Sequence, residues 1–139
     1  MQVYFHKHKE AVKVKVPKEL KYTREHEWVR LDDNVVTIGV TDYAQSEMGD
    51  VVFVELPEVG STKSAGDQLA VVESVKAVSD VFSPVSGTVE SVNESLEDTP
   101  ELINDDCYGE GWIARIKIAD SAELDELMSA EEYEEYTAE

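Results

Sequence analysis

Period-two valine patterning constrains this chain more than any other feature. Short runs such as NVVTIGVT, DVVFVEL, QLAVVES and GTVESV place apolar β-branched residues at alternate positions and end in turn-forming residues. That period matches a strand with one buried face, not an amphipathic helix. HEWVRL and NVVTIGVT read as a hairpin turning at Asp32, Asp33 and Asn34. In the second strand Val36, Ile38 and Val40 face one way and Val35, Thr37 and Thr41 the other. DVVFVEL puts Val52, Val54 and Leu56 on one face before Pro57 and Gly60 make a turn. QLAVVES, AVSDVF and GTVESV follow, separated by a turn at Lys76 and by SPVSG. GWIARIKI turns Trp112, Ala114, Ile116 and Ile118 to one side and Arg115 and Lys117 to the other.

Helices are short. Thr41 and Asp42 can cap one over TDYAQSEM, which Gly49 ends. Pro100 opens a helical turn in PELIND. Leu124, Leu127 and Met128 have helical spacing, and Ser129 with Glu132 forms a capping box for a last helix. The eight acids from Ser121 onward read as a solvated face. The expected fold is mostly β, a sandwich or flattened barrel edged by short helices, the last at the C-terminus. Residues 16–139 read as a single domain, and residues 1–15 as an N-terminal extension, either native or a cloning remnant. A six-residue echo, Gly49-x-Val51-x-x-Val54 and Gly87-x-Val89-x-x-Val92, flanks Lys76 and hints at two similar half-sheets joined at its hairpin.

Composition narrows the partners. A net charge of −19 over 139 residues excludes the basic face that nucleic acid requires and disfavours anionic membranes. It favours basic patches on other proteins. No apolar run approaches the ~20 residues of a membrane span. One cysteine, Cys107, cannot form an internal disulfide, which suits a reducing compartment.

Side-chain catalysis finds little support. His6, His8 and His26 all precede the main strand region, so a histidine-based site would have to use His26. There is no nucleophile elbow, P-loop or dinucleotide fingerprint. Cys107 reads as structural, His6-x-His8 as a tag-like pair, and NDDCYGEG lacks the order of a calcium loop.

Lys76 stands apart. Between Arg30 and Arg115 the only other basic residue is Lys63. Lys76 is flanked by Val75, Ala77 and Val78, and the turn glycines Gly66 and Gly87 lie almost symmetrically about it. A long primary amine on a projecting hairpin, outside any desolvating Schiff-base pocket, is suited to acylation and use as a swinging arm.

ESVKAVSDVFSPVSG resembles the attachment site of lipoyl-carrier domains. With KYTREHEWV, VTIGVTDYAQSEMGDVVFVELPEVG, GTVESVNESL, LIND and GWIARIKI, residues 16–137 resemble the H protein of the glycine cleavage system. Val75 and Ala77 depart from the methionines that usually flank a biotinyl lysine. The resemblance implies a lipoyl-domain-like fold, the hybrid barrel-sandwich, in a non-enzymatic and monomeric carrier with lipoate amide-linked to Lys76. Glu73, Val75 and Ala77 would form the hairpin read by a lipoate ligase or lipoyl transferase. Glu27 and Asp80 would line a cleft for the loaded arm. Tyr43 stands where some members have histidine and takes no assigned role. Implied partners are a pyridoxal-phosphate glycine decarboxylase, a tetrahydrofolate-dependent aminomethyltransferase and a flavin dihydrolipoyl dehydrogenase. The setting would be the cytoplasm of a bacterium or archaeon, or the mitochondrial matrix of a eukaryote. The alternative function is lipoate donor in a protein lipoylation relay.

Overall fold

The computed structural model describes residues 3–7 and 10–138, with side chains from Val14 to Ala138. Strands β1 (Val3–Lys7) and β2 (Glu10–Val14) pair as an antiparallel hairpin. Then come β3 (Lys21–Tyr22), β4 (Glu27–Asp32), β5 (Val35–Val40), helix α1 (Asp42–Met48), β6 (Val51–Glu55), β7 (Thr62–Lys63), β8 (Gln68–Ser74) and β9 (Val78–Phe82). The remainder is β10 (Gly87–Val92), α2 (Ser95–Asp98), α3 (Leu102–Asp105), β11 (Ala114–Ile118), a 3-10 helix (Ser121–Glu126) and α4 (Ala130–Thr137). A six-stranded sheet of order β3-β4-β5-β11-β10-β7 faces a three-stranded sheet of order β6-β8-β9. The architecture is therefore the expected open sandwich with short helices, and it does not close into a barrel.

The main core fills the space between the sheets. Val36, Ile38, Ile116 and Val89 from the large sheet meet Val54, Ala70, Val72 and Val81 from the small one. The alternating apolar residues supply these faces as the sequence pattern requires. Thr41 caps α1 by accepting the Ala44 N–H at 3.1 Å, and Gly49 ends it at φ 79° and ψ −158°, a conformation essentially restricted to glycine. At α4 both halves of the Ser129–Glu132 capping box form.

Three expectations need correction. Val52 does not share a face with Val54: Val51 pairs with Ser74 and Phe53 with Glu73, so Val52 is the extra residue of a bulge and turns outward. The second face of β5 is not open, since Thr37 and Thr41 are buried. There Trp28 lies against Gly39, where an added Cβ would meet its Nε1 at 2.6 Å, and Thr41 Oγ1 meets the Tyr133 hydroxyl at 2.8 Å. Glu134, from the acidic tail, is also buried, next to Tyr133 on α4, the helix that packs Tyr133 and Ala130 into this second layer.

The echo has a different meaning from the one its position suggested. Its copies lie in different sheets, and both strands of the Lys76 hairpin belong with the first copy. What repeats is a bulge after the first valine, at Val52 and at Glu90. An extra residue lets two valines three positions apart, Val51 and Val54 or Val89 and Val92, turn toward one core.

Candidate functional site

Lys76 sits at the exposed tip between β8 and β9. Ser74 organises that tip. Its N–H donates to the Ala77 carbonyl at 2.8 Å, and its hydroxyl accepts the N–H groups of Ala77 at 3.1 Å and Lys76 at 3.3 Å. The Val75 N–H donates to the Asp50 carbonyl at 3.0 Å, fastening the turn to the strand beside it. The lysine stem passes over Gly49, whose missing Cβ would stand 3.7 Å from Lys76 Cε. The positive φ that ends α1 there favours glycine, while a Cβ at that position would only touch the stem.

Beside the hairpin lies a cleft of about 560 Å³. One wall is the free edge of β9, from Ala77 through Ser79 and Asp80 to Phe82. The opposite walls are the start of β4, with Glu25, His26 and Glu27, and α1, with Tyr43, Ala44, Glu47 and Met48. Four carboxylate-bearing residues thus border a partly apolar hollow next to an extended amine.

Glu27 is the most constrained of these. It is 2% exposed, with Oε1 accepting the Thr23 hydroxyl at 2.5 Å and Oε2 accepting the Phe82 N–H at 3.0 Å. It therefore satisfies a backbone donor on the open edge of the small sheet while standing on the large one. Burial pushes its carboxyl up to about 7, against the opposing pull of those two hydrogen bonds. Asp80 is exposed on the β9 edge, and its Oδ1 accepts Gln68 Nε2 at 2.8 Å.

The sequence-selected residues divide in two. Ala77, Glu27 and Asp80 border the cleft beside Lys76. Glu73 and Val75 do not. Glu73 lies between Phe53 and Val78 in one row on the outer face of the small sheet, and Val75 projects from the turn, 69% exposed. His26 and Tyr43 are the residues that sequence reasoning left without a place here. His26 takes a positive φ of 72°, which turns its ring back toward α4, where Nδ1 meets the Tyr133 hydroxyl at 2.7 Å. Its ring lies 4.8 Å from that of Tyr43, and burial lowers its pKa despite Glu25 and Glu47 nearby. Cys107 is buried, its thiol pushed up by desolvation, and its carbonyl accepts the Trp28 indole N–H at 2.9 Å, which fits a structural role. The His6-x-His8 pair lies outside the residues whose side chains are described. Among the described residues no cluster has the ligands for a metal ion, and no helix is long and apolar enough to cross a membrane.

A two-sheet sandwich presenting one lysine on a pinned hairpin is the architecture expected of a carrier domain. Residues 20–139 match the family model described as glycine cleavage H-protein. The glycine cleavage system H protein of Carboxydothermus hydrogenoformans is 57% identical over 119 residues, covering 86% of this chain and 92% of that one. That of Coprothermobacter proteolyticus is 58% identical over 127 residues, covering 91% of this chain and 100% of the relative. The crystal structure of the H protein from Mycobacterium marinum superposes with a TM-score of 0.79 at 40% identity, covering 85% of this chain and 95% of that one. The chain belongs to the glycine cleavage H-protein family.

Proposed function

We propose that this chain is a lipoyl shuttle of glycine cleavage, with lipoate in amide linkage to Lys76. The observation that carries the reading is the lysine itself, exposed at a turn that three Ser74 contacts hold still, at the mouth of an acid-lined cleft. Bound lipoate supplies a dithiolane able to accept a one-carbon amine unit and two reducing equivalents. The protein's own contribution is reach, orientation and shelter. Lys76 extends the attachment point clear of the sheet. Glu73, Val75 and Ala77 present the surface that a lipoate ligase or lipoyl transferase reads. Glu27 and Asp80, joined by Glu25 and Glu47, offer carboxylates to an ammonium drawn into the cleft. An approaching cation favours the charged form of Glu27 and removes its proton, so cargo is held better above pH 7 than below it.

The partners of such a carrier are the glycine decarboxylase, the aminomethyltransferase and dihydrolipoyl dehydrogenase; the chain itself performs none of their reactions. The relatives compared are bacterial, which favours the cytoplasm over the mitochondrial matrix. The test is intact mass after co-expression with a lipoate ligase, followed by glycine–bicarbonate exchange with the decarboxylase. Addition of one lipoyl group, absent from Lys76→Arg, with exchange only by the modified form, is expected. Lipoylation that persists in Lys76→Arg would overturn the assignment.

A further inference from the structure

The family match begins at residue 20, yet a side chain ahead of it packs against one wall of the cleft. Val14, at the end of β2, is only 2% exposed, and its apolar neighbours are Val16 and Tyr43. The backbone there is fastened as well. The Lys15 N–H donates to Asp42 Oδ2 at 2.8 Å, and the Tyr108 hydroxyl donates to the Lys15 carbonyl at 2.7 Å while accepting the Asp42 N–H at 3.0 Å. Asp42 opens α1, and its other oxygen, Oδ1, accepts Gln45 Nε2 at 2.7 Å. The next residue is Tyr43, which lines the cleft against His26.

We infer that Val14–Val16 forms the outer support of the Tyr43 wall and so sets how well the cleft shelters what the Lys76 arm brings into it. The physical basis is close packing. A side chain with a buried neighbour behind it keeps one position, and removing that neighbour leaves a void into which the side chain and water can move. Tyr43 backs onto Val14 on one side and meets His26 on the other, so displacement at Val14 reaches the cleft through one ring. The inference rests on the shuttle reading for its consequence, but not for the packing itself.

Three forms test it: the full chain, Val14→Ser, and a deletion of residues 2–16 that keeps Pro17, whose carbonyl accepts the Tyr22 hydroxyl. Each is lipoylated, checked by intact mass, loaded by the decarboxylase, and followed for ammonia release without the transferase. Release is expected to quicken about fivefold in both altered forms, equivalent to roughly 1 kcal/mol. In a Tyr43→Ala background, Val14→Ser should add nothing. The His26 ring, titrated by NMR on unmodified protein, reports on the support independently of the arm. Its lowered pKa should climb back toward 6.5 in both altered forms as water enters. Unchanged release together with an unchanged His26 titration would overturn the inference. Failure of the full chain to accept lipoate would overturn the shuttle reading instead and leave the His26 titration to decide this one.

Discussion

Behind the six-stranded sheet, Leu20, Tyr22, Trp28, Ala130 and Tyr133 form a second core, all at 4% exposure or less. On the outer face of the three-stranded sheet, Phe53 and Val78 flank Glu73 in one row, 52% and 68% exposed, with Val52 and Val75 close by at 54% and 69%. The large sheet is covered on both sides around Tyr22, Trp28 and Gly39; the small one keeps four large apolar side chains in water around the lysine. Burial of each would stabilise the fold by about 1.5–3 kcal/mol. The contrast separates a layer that holds the molecule together from one that stays open to solvent beside Lys76.

The largest expected effect breaks the open side. Exchanging positions, as Val75→Lys with Lys76→Val, keeps an amine in the same turn but moves it onto the residue whose N–H is tied to Asp50. Lipoylation should be lost while the thermal midpoint hardly moves; efficient modification of the exchanged form would mean that the ligase ignores the turn. On the covered side, Trp28→Ala removes a wholly buried indole and its bond to the Cys107 carbonyl. It should cost about 3–5 kcal/mol in denaturant unfolding. A loss under half of that would show that the second layer can collapse onto the gap.

Glu27 bridges the two sheets, and its substitution should show as a pH dependence. Because its folded-state pKa is raised, its contribution to stability is fully present below 4.5 and is lost as pH rises through about 7. Glu27→Gln has no proton to lose, so relative to wild type it should gain up to about 3 kcal/mol between pH 4.5 and 8. Parallel stability curves for the two proteins would refute the raised pKa. The smallest effect is Phe53→Ser on the open face, expected to stay within ~0.5 kcal/mol in stability. Its rate of lipoylation or partner turnover should nonetheless fall several-fold; an unchanged rate would remove Phe53 from the partner surface.

Much of the fold was legible in the chain because alternation encodes which face is buried. The Thr41 cap, the Gly49 stop and the Ser129 box were legible for a related reason, being local backbone chemistry. Val52 was not, since a bulge breaks the period and its cause, pairing with Ser74 and Glu73, lies over twenty residues away. Buried Thr37 and Thr41 were hidden in the same way, since their partners, Arg115 Nε and the Tyr133 hydroxyl, come from 78 and 92 residues further along the chain. At the site, Lys76 is conspicuous by isolation. Pairing Glu27 with Asp80 came only through likeness to the family, because the structure joins them across the open edge of β9. His26 and Tyr43 belong to the same cleft, but a lone positive φ and a ring against a ring leave no mark in sequence spacing.

The turn pinned by Ser74 also bears on how a tethered reagent behaves. A pivot on a loose loop would spread the end of its tether through a large volume and lose that freedom afresh at each docking. A fixed pivot confines the far end to a shell centred on one point, where its effective concentration is high and its entropic loss on capture small. On the shuttle reading, one serine hydroxyl, bonded to two consecutive amides, would thereby influence the pace of encounters that take place a full arm's length from it.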